Sequence, residues 1–224
     1  MMTAVVLQAR MGSTRLPGKA LLPLGGSSIL EQAMATLALV PANALILATD
    51  HASALALAPA AERQGFQLLV GPTEDVLARY CQAIRRFGID LVLRATGDNP
   101  LVSRELATLL LERRSSRASD YAGFLGMPVG MGVELISAAA LLRAESEAKA
   151  MPEREHVCPY LYGHPELFDI DRSEAPPPYL LGEGRVTVDT EADYEAVLKI
   201  YGALYAGSPI SSLAVISMLK GHRP

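Results

Sequence analysis

Residues 8–19 read Gln8-Ala9-Arg10-Met11-Gly12-Ser13-Thr14-Arg15-Leu16-Pro17-Gly18-Lys19, directly after the apolar run Ala4-Val5-Val6-Leu7. The apolar run suits one short buried strand. The loop after it holds three cations, two glycines and the hydroxyls of Ser13 and Thr14. A strand that opens into a glycine-containing loop is how α/β proteins bring backbone N–H groups against a phosphate. Arg10, Arg15 and Lys19 repel one another at this spacing unless an anion neutralises them, and a polyphosphate would do so. The loop is not a P-loop, because five residues separate Gly12 from Gly18 and Ala20 follows Lys19. Nor does a Gly-x-Gly-x-x-Gly dinucleotide fingerprint follow the strand. The competing reading is a basic surface loop around a Pro-Gly turn.

Outward from this loop, apolar runs alternate with helical patterns. Strands are expected at 4–7, 44–48, 67–70 and 91–95. Helices are expected at 29–39 (capped by Ser28), 53–63 (interrupted or shaped by Pro59), 75–87 and 103–114. Four strand–helix alternations predict a parallel sheet with helices on both faces, and ligands then bind beyond the carboxyl ends of the strands. The polar loops at 10–19, 49–50, 71–75 and 96–99 all fall there. The second half is less regular. A strand is expected at 133–136, helices at 138–150 and 153–162, and a short strand at 167–170. The Pro176-Pro177-Pro178 run reads as a stiff connector, followed by a strand at 185–188, a helix at 191–205 and a closing segment at 210–220.

At 224 residues the chain suits one α/β domain, and half its residues are apolar. The net charge of −4 argues against a nucleic-acid-binding face and makes the N-terminal cations a local feature. Cys81 and Cys158 form no Cys-x-x-Cys pair, and His51, His156, His164 and His222 show no metal spacing. Cys81 reads as a small core residue. No signal-peptide pattern and no run of ~20 apolar residues occurs, so no membrane partner is expected and the location read from this is cytoplasmic.

Several segments together resemble the cytidylyltransferases that activate sugars for surface polysaccharides. The nearest resemblance is to the family of spore-coat polysaccharide protein F, related to acylneuraminate and 3-deoxy-manno-octulosonate cytidylyltransferases. The 8–19 loop resembles its nucleotide-binding signature. Gly71-Pro72-Thr73-Glu74-Asp75-Val76-Leu77-Ala78-Arg79-Tyr80 is similar to an acidic, Asp-Val-Leu, Arg-Tyr segment. Arg94-Ala95-Thr96-Gly97-Asp98-Asn99-Pro100-Leu101 and Arg185-Val186-Thr187-Val188-Asp189-Thr190-Glu191-Ala192-Asp193-Tyr194 resemble the segments that carry its two metal-binding aspartates. Gly132-Val133-Glu134, with Arg154-Glu155-His156-Val157-Cys158-Pro159-Tyr160, resembles its mid-chain signature. Cys158 and Val186 depart from it, standing where threonine and a bulkier residue are common.

The resemblance implies a three-layer α/β nucleotidyltransferase fold of the nucleotide-diphospho-sugar transferase type, with a mostly parallel mixed central sheet. It implies one domain over residues 1–224, an intersubunit dimerisation arm within about 120–180, and a homodimer. The implied reaction is CTP plus a sugar hydroxyl giving CMP-sugar and pyrophosphate, with Mg²⁺ as cofactor and an acidic sugar as acceptor. Another nucleotide, a sugar or polyol phosphate acceptor, or a noncatalytic nucleotide-binding subunit are the alternatives.

Candidate roles follow. Arg15 and Lys19 hold the β- and γ-phosphates, and Asp98 and Asp189 hold the metal if their strands are neighbours. Otherwise Asp98 is a turn residue and Asp189 a helix N-cap. The nucleotide set is Leu7, Ala9, Arg10, Gly12, Ser13, Thr73, Asp75, Arg79, Thr96 and Gly97. Asp75 either reads the nucleotide or caps its helix, with Arg79 four residues on as an ion-pair partner. The substrate set is Arg94, Glu134, His156 and Arg185. Arg94 and Arg185 either bind a sugar carboxylate or balance nearby acids, and His156 has a structural alternative. No general base is identified.

Overall fold

The computed structural model describes residues 1–221; His222 lies outside the described residues. In the first half, β1 (Thr3–Gln8) is followed by a short antiparallel pair, β2 (Pro23–Leu24) and β3 (Ser27–Ser28), and by α1 (Ile29–Leu37). Then come β4 (Ala44–Asp50), α2 (His51–Arg63), β5 (Gln67–Gly71), α3 (Val76–Phe87), β6 (Leu91–Thr96) and α4 (Arg104–Ser116). The second half holds β7 (Tyr121–Leu125), β8 (Glu134–Ser137), α5 (Ala138–Glu147), α6 (Met151–Glu155), α7 (Pro159–Gly163), β9 (Ile170–Glu174), α8 (Glu191–Leu204) and α9 (Ser212–Leu219).

The seven main strands form one sheet in the order β5-β4-β1-β6-β8-β7-β9. The pairs β5–β4, β4–β1, β1–β6 and β7–β9 are parallel, and β8 runs antiparallel to both neighbours. Alternation along β1 builds two cores. Val5 and Leu7 face one with Leu30, Met34 and Ile200, while Ala4 and Val6 face the other with Leu77, Tyr80 and Leu141. This is the three-layer α/β arrangement that the strand–helix alternation predicts.

After β1 the chain adds β4 and β5 on one side and then returns to place β6 on the other. The crevice of the sheet therefore lies where β1 and β6 end, and ligands of doubly wound sheets bind at such a switch. Gly97 makes the junction tight. Its N–H donates to the Gln8 carbonyl at 2.8 Å, and a Cβ there would lie 2.8 Å from both Ala9 Cβ and Leu30 Cδ1.

Several sequence expectations need correction. The helix expected over 153–162 is two short helices, because Pro159 has no N–H and its ring excludes the carbonyl four residues back. Between them Val157 is buried at φ +69, a conformation β-branched residues rarely take. The strand expected at 167–170 begins only at Ile170. It continues through polar residues on the sheet edge, where Arg113 Nε pairs with the buried Asp171 at 2.7 Å. The sequence gives no strand signal over β7, since its Tyr-Ala-Gly-Phe-Leu run is broken by a glycine. The strand expected at 185–188 is an extended segment outside the sheet, joined by one parallel bridge from Arg185 to Val129 in the loop between β7 and β8. Helix α2 runs through Pro59 without interruption; the carbonyl it deprives belongs to Leu55, a residue 89% exposed.

Candidate active site

A cleft of about 310 Å³ opens at the carboxyl ends of β1 and β6. Its floor is the loop after β1, with Ala9, Arg10, Gly12, Ser13, Arg15 and Lys19. Thr96, Gly97 and Asp98 after β6 form one side, and Asp189 reaches in from the segment before α8. Arg79 and Val76 on α3 and His156 with Glu155 at the end of α6 complete the wall.

Local sequence explains each placement. Gly18, at φ +69, turns the chain so that Lys19 starts a 3₁₀ turn and faces inward. Ser53 Oγ accepts from the Met11 N–H at 2.8 Å and pins the loop to α2. On the far side Gly130, at φ +94, packs against Thr187; a Cβ there would lie 2.5 Å from the Thr187 nitrogen. That close approach lets the Val186 N–H reach the Val129 carbonyl and the Val188 N–H reach the Asp98 carbonyl, at 2.8 and 2.9 Å. Asp98 and Asp189 thus meet through loop contacts, although the second follows no sheet strand.

The two carboxylates converge on one ammonium. Lys19 Nζ donates to Asp98 Oδ2 at 2.7 Å, to Asp189 Oδ1 at 2.8 Å and to the Val188 carbonyl at 2.7 Å. Arg15 Nη2 lies 3.0 Å from Asp189 Oδ1, and Arg185 Nη2 lies 2.7 Å from Asp189 Oδ2. Burial alone would raise the Asp189 pKa; Lys19, Arg15 and Arg185 outweigh it and hold the group below its ordinary value. The convergence makes an all-oxygen donor set with two carboxylates, which suits a hard divalent ion that completes its shell with phosphate and water. Among the described residues no cluster of three or more Asp, Glu, His or Cys forms a complete protein cage.

Asp189 is not the helix cap. Thr190 is, in a reciprocal box with Asp193, whose Oδ2 accepts from the Asp189 and Thr190 N–H groups at 3.0 and 2.9 Å. Asp193 thereby fixes the backbone from which the Asp189 carboxylate extends.

Other sequence candidates lie outside the cleft or are engaged within the chain. Leu7 is fully buried in the core beneath the cleft. Thr73 offers its carbonyl to Arg79 Nη2 at 3.0 Å, so Arg79 clamps the 71–75 loop instead of pairing with Asp75. Asp75 caps α3 by accepting from the Ala78 N–H at 2.9 Å, and its other oxygen takes Arg154 at 2.6 Å. Arg185 is spent on Asp189 and Asp193. The Ser13 N–H is committed to the Met11 carbonyl at 2.9 Å.

Arg94 and Glu134 pair with each other on the opposite face of the sheet. Glu134 Oε1 accepts from Tyr121 at 2.9 Å and also from Tyr162, and the Cys158 thiol lies 3.7 Å from Oε2. Burial would raise the Glu134 pKa, but Arg94 and the tyrosines bring it below its usual range. Burial and the Glu134 charge push the Cys158 thiol up, keeping it a proton donor.

The structure adds Gln8, Thr14, Ala20, Val76 and Glu155 to the lining. All lie inside or beside the motifs; the Thr14 hydroxyl is legible in the loop sequence, and Gln8 and Glu155 have polar side chains that a closer reading of those segments could have singled out. Cys81 and Cys158 are both free and buried. No helix among the described residues is long and apolar enough to cross a membrane.

Sheet order, cleft position and loop chemistry define a nucleotidyltransferase of the nucleotide-diphospho-sugar transferase fold. Residues 4–207 match the cytidylyltransferase family, and the chain belongs to that family of enzymes. It is 32% identical to the spore coat polysaccharide biosynthesis protein SpsF of Bacillus subtilis, over 96% of this chain and 92% of the relative. A cytidylyltransferase structure from Leptospira borgpetersenii superimposes with a TM-score of 0.92 at 27% identity, covering 99% of this chain and 94% of that one. A CMP:2-keto-3-deoxy-manno-octonic acid synthetase complexed with CTP shares the fold. Its TM-score is 0.70 at 18% identity, over 90% of this chain and 99% of that one.

Proposed function

We propose that this enzyme transfers CMP from CTP to a sugar hydroxyl, releasing pyrophosphate, in the synthesis of a surface polysaccharide or glycan. The observation that carries the reading is the meeting of the 10–19 cations with Asp98 and Asp189 in one cleft. Family membership, the likeness to SpsF and the CTP-bound relative of the same fold support it.

The acceptor oxygen attacks the α-phosphorus in line; the new O–P bond forms as the bond to the bridging oxygen breaks, and the hydroxyl proton leaves to solvent. Positioning and charge neutralisation carry most of such a step. In this proposal Arg15 and Lys19 neutralise the β- and γ-phosphates, and Arg10 serves the α-phosphate or the base. Ala9 and Gly12 shape the floor, and Thr96 and Gly97 one side. Asp98 and Asp189 would hold Mg²⁺, which when bound supplies Lewis-acid neutralisation of phosphate charge.

An acidic sugar is the first acceptor to test, because the CTP-bound relative is named for one. Arg94 and Arg185 are engaged with acids of the chain itself. His156, which lines the cleft, takes the carboxylate role in the proposal. A homodimer using the 120–180 segment also belongs to the reading. Leu125 and Val129 in that segment are 41% and 54% exposed, and light scattering on the purified chain tests it.

The functional test is pyrophosphate release with Mg²⁺, each of CTP, UTP, GTP, ATP and dTTP, and a panel of ulosonic and nonulosonic acids, with chelator controls. CTP-dependent release that needs an acceptor supports the reading. Release with another nucleotide alone, or no nucleotide binding at all, overturns it.

A further inference from the structure

An ammonium has three N–H donors, and all three of Lys19 are used: Asp98 Oδ2, Asp189 Oδ1 and the Val188 carbonyl, at 2.7, 2.8 and 2.7 Å. The side chain is 12% exposed, and its carboxylate partners are 28% and 19% exposed. In this arrangement Lys19 has no donor left for a phosphate, and it stands at the point on which the two carboxylates converge. A divalent ion on the same two oxygens would face a unit positive charge at contact distance, in a half-buried site where like charges repel strongly. Lysine and metal therefore compete for one pair of ligands.

We propose that Lys19 is the resident cation of the Asp98–Asp189 pair, and that it yields this place to a divalent ion only when a triphosphate offers its ammonium other acceptors. The inference rests on the nucleotidyltransferase reading above and deepens it: metal and nucleotide enter as a coupled pair. The geometry supports a swing of this kind. Lys19 opens a three-residue 3₁₀ turn at the rim of the cleft, with a flexible four-carbon stem. Arg15, 63% exposed and 3.0 Å from Asp189, is a second cation that a phosphate can draw off the same carboxylate. By linkage, the factor by which the nucleotide strengthens metal binding equals the factor by which metal strengthens nucleotide binding. The device would keep the carboxylates paired and the cleft free of divalent ions until substrate arrives.

The test is Mn²⁺ binding to the full chain without nucleotide, followed by calorimetry or by electron paramagnetic resonance, for the wild type, Lys19→Met and Lys19→Arg. Removing the charge in Lys19→Met is expected to tighten nucleotide-free Mn²⁺ binding at least tenfold. Lys19→Arg, which keeps a cation, is expected to stay as weak as the wild type. Thermal unfolding gives a second readout that tolerates a destabilised variant: Mn²⁺ should raise the Tm of Lys19→Met well above the rise seen for the wild type. Equal Mn²⁺ affinity and equal Tm response in the wild type and Lys19→Met overturn the proposal. So does tight nucleotide-free binding by the wild type. Failure of the functional reading would show separately, as absence of CTP binding and of pyrophosphate release by the wild type.

Discussion

Two clusters of carboxylate and cation lie on opposite faces of the same sheet and behave as opposites. Lys19, Asp98 and Asp189 sit on loops at the strand ends, open to the cleft. Arg94 and Glu134 sit within strands β6 and β8, closed over by Tyr121, Tyr162 and Cys158. Both are written as charged residues inside motifs. In the first, the carboxylates line the cleft, where a ligand can reach them. The second lies outside that cleft, and although Glu134 is as exposed as Asp189, its oxygens are taken up by Arg94 and two tyrosine hydroxyls. A charge in a motif thus marks chemistry only where a ligand can reach it. Elsewhere it marks architecture.

The sharpest break of this comparison is Asp98→Asn or Asp189→Asn. Each is expected to lower turnover by ~10²–10³-fold, the size typical of losing one transition-state electrostatic contact, with little change in Tm. A pyrophosphate-release assay beside a melting curve reads both. Full activity in both variants would end the metal role.

Glu134→Gln should do the reverse. It leaves the Arg94 charge without its carboxylate inside the protein, at a cost of about 3 kcal/mol. Denaturant unfolding should show that loss and Tm should fall by several degrees, while CTP affinity of the folded fraction is kept. A wild-type Tm with lost acceptor binding would instead place Glu134 in the substrate pocket.

Gly130→Ala moves the open cluster without touching its charges. The added Cβ meets the Thr187 backbone and the φ is positive, so a loss of roughly 1–3 kcal/mol is expected, with reduced turnover as Asp189 is displaced. Unchanged kinetics would mean that the 185–189 segment adjusts freely.

Asp193→Ala is the mildest change, about 1 kcal/mol for loss of the capping partner. Burial would raise the Asp193 pKa, yet Arg185, Thr190 and two backbone N–H groups bring it to about 2. Its folded pKa is thus depressed, so its stabilisation is present above the ordinary value of 3.8 and is lost as pH falls through about 2. Melting curves from pH 5 to pH 2 should fall less steeply for Asp193→Ala than for the wild type.

Much of the first half is legible in the sequence alone. Each βα unit carries its own punctuation: Ser28, Asp50, Asp75 and Ser103 cap their helices within one turn, and apolar runs of three to five residues mark the parallel strands. The second half is less so, because its strands are held by partners far away in sequence. Strand β9 exists through pairing with β7 and through Arg113 on Asp171, and its own polar sequence says little. The site divides the same way. Arg10, Arg15, Lys19, Asp98 and Asp189 stood out as charges beside strand ends, but nothing local says that Arg94 turns away from the cleft.

By itself the sequence determined the βα order, the helix caps and the cation-rich loop, since these depend on contacts within a few residues. Only the tertiary structure decided which charges meet. Gly130 against Thr187 and Gly97 against Ala9 set backbone approaches across the chain. Those approaches bring Asp98 and Asp189 onto one lysine, while the β6–β8 pairing sets Glu134 against Arg94, because a charge's partner is fixed by distance in space and not by position in the chain.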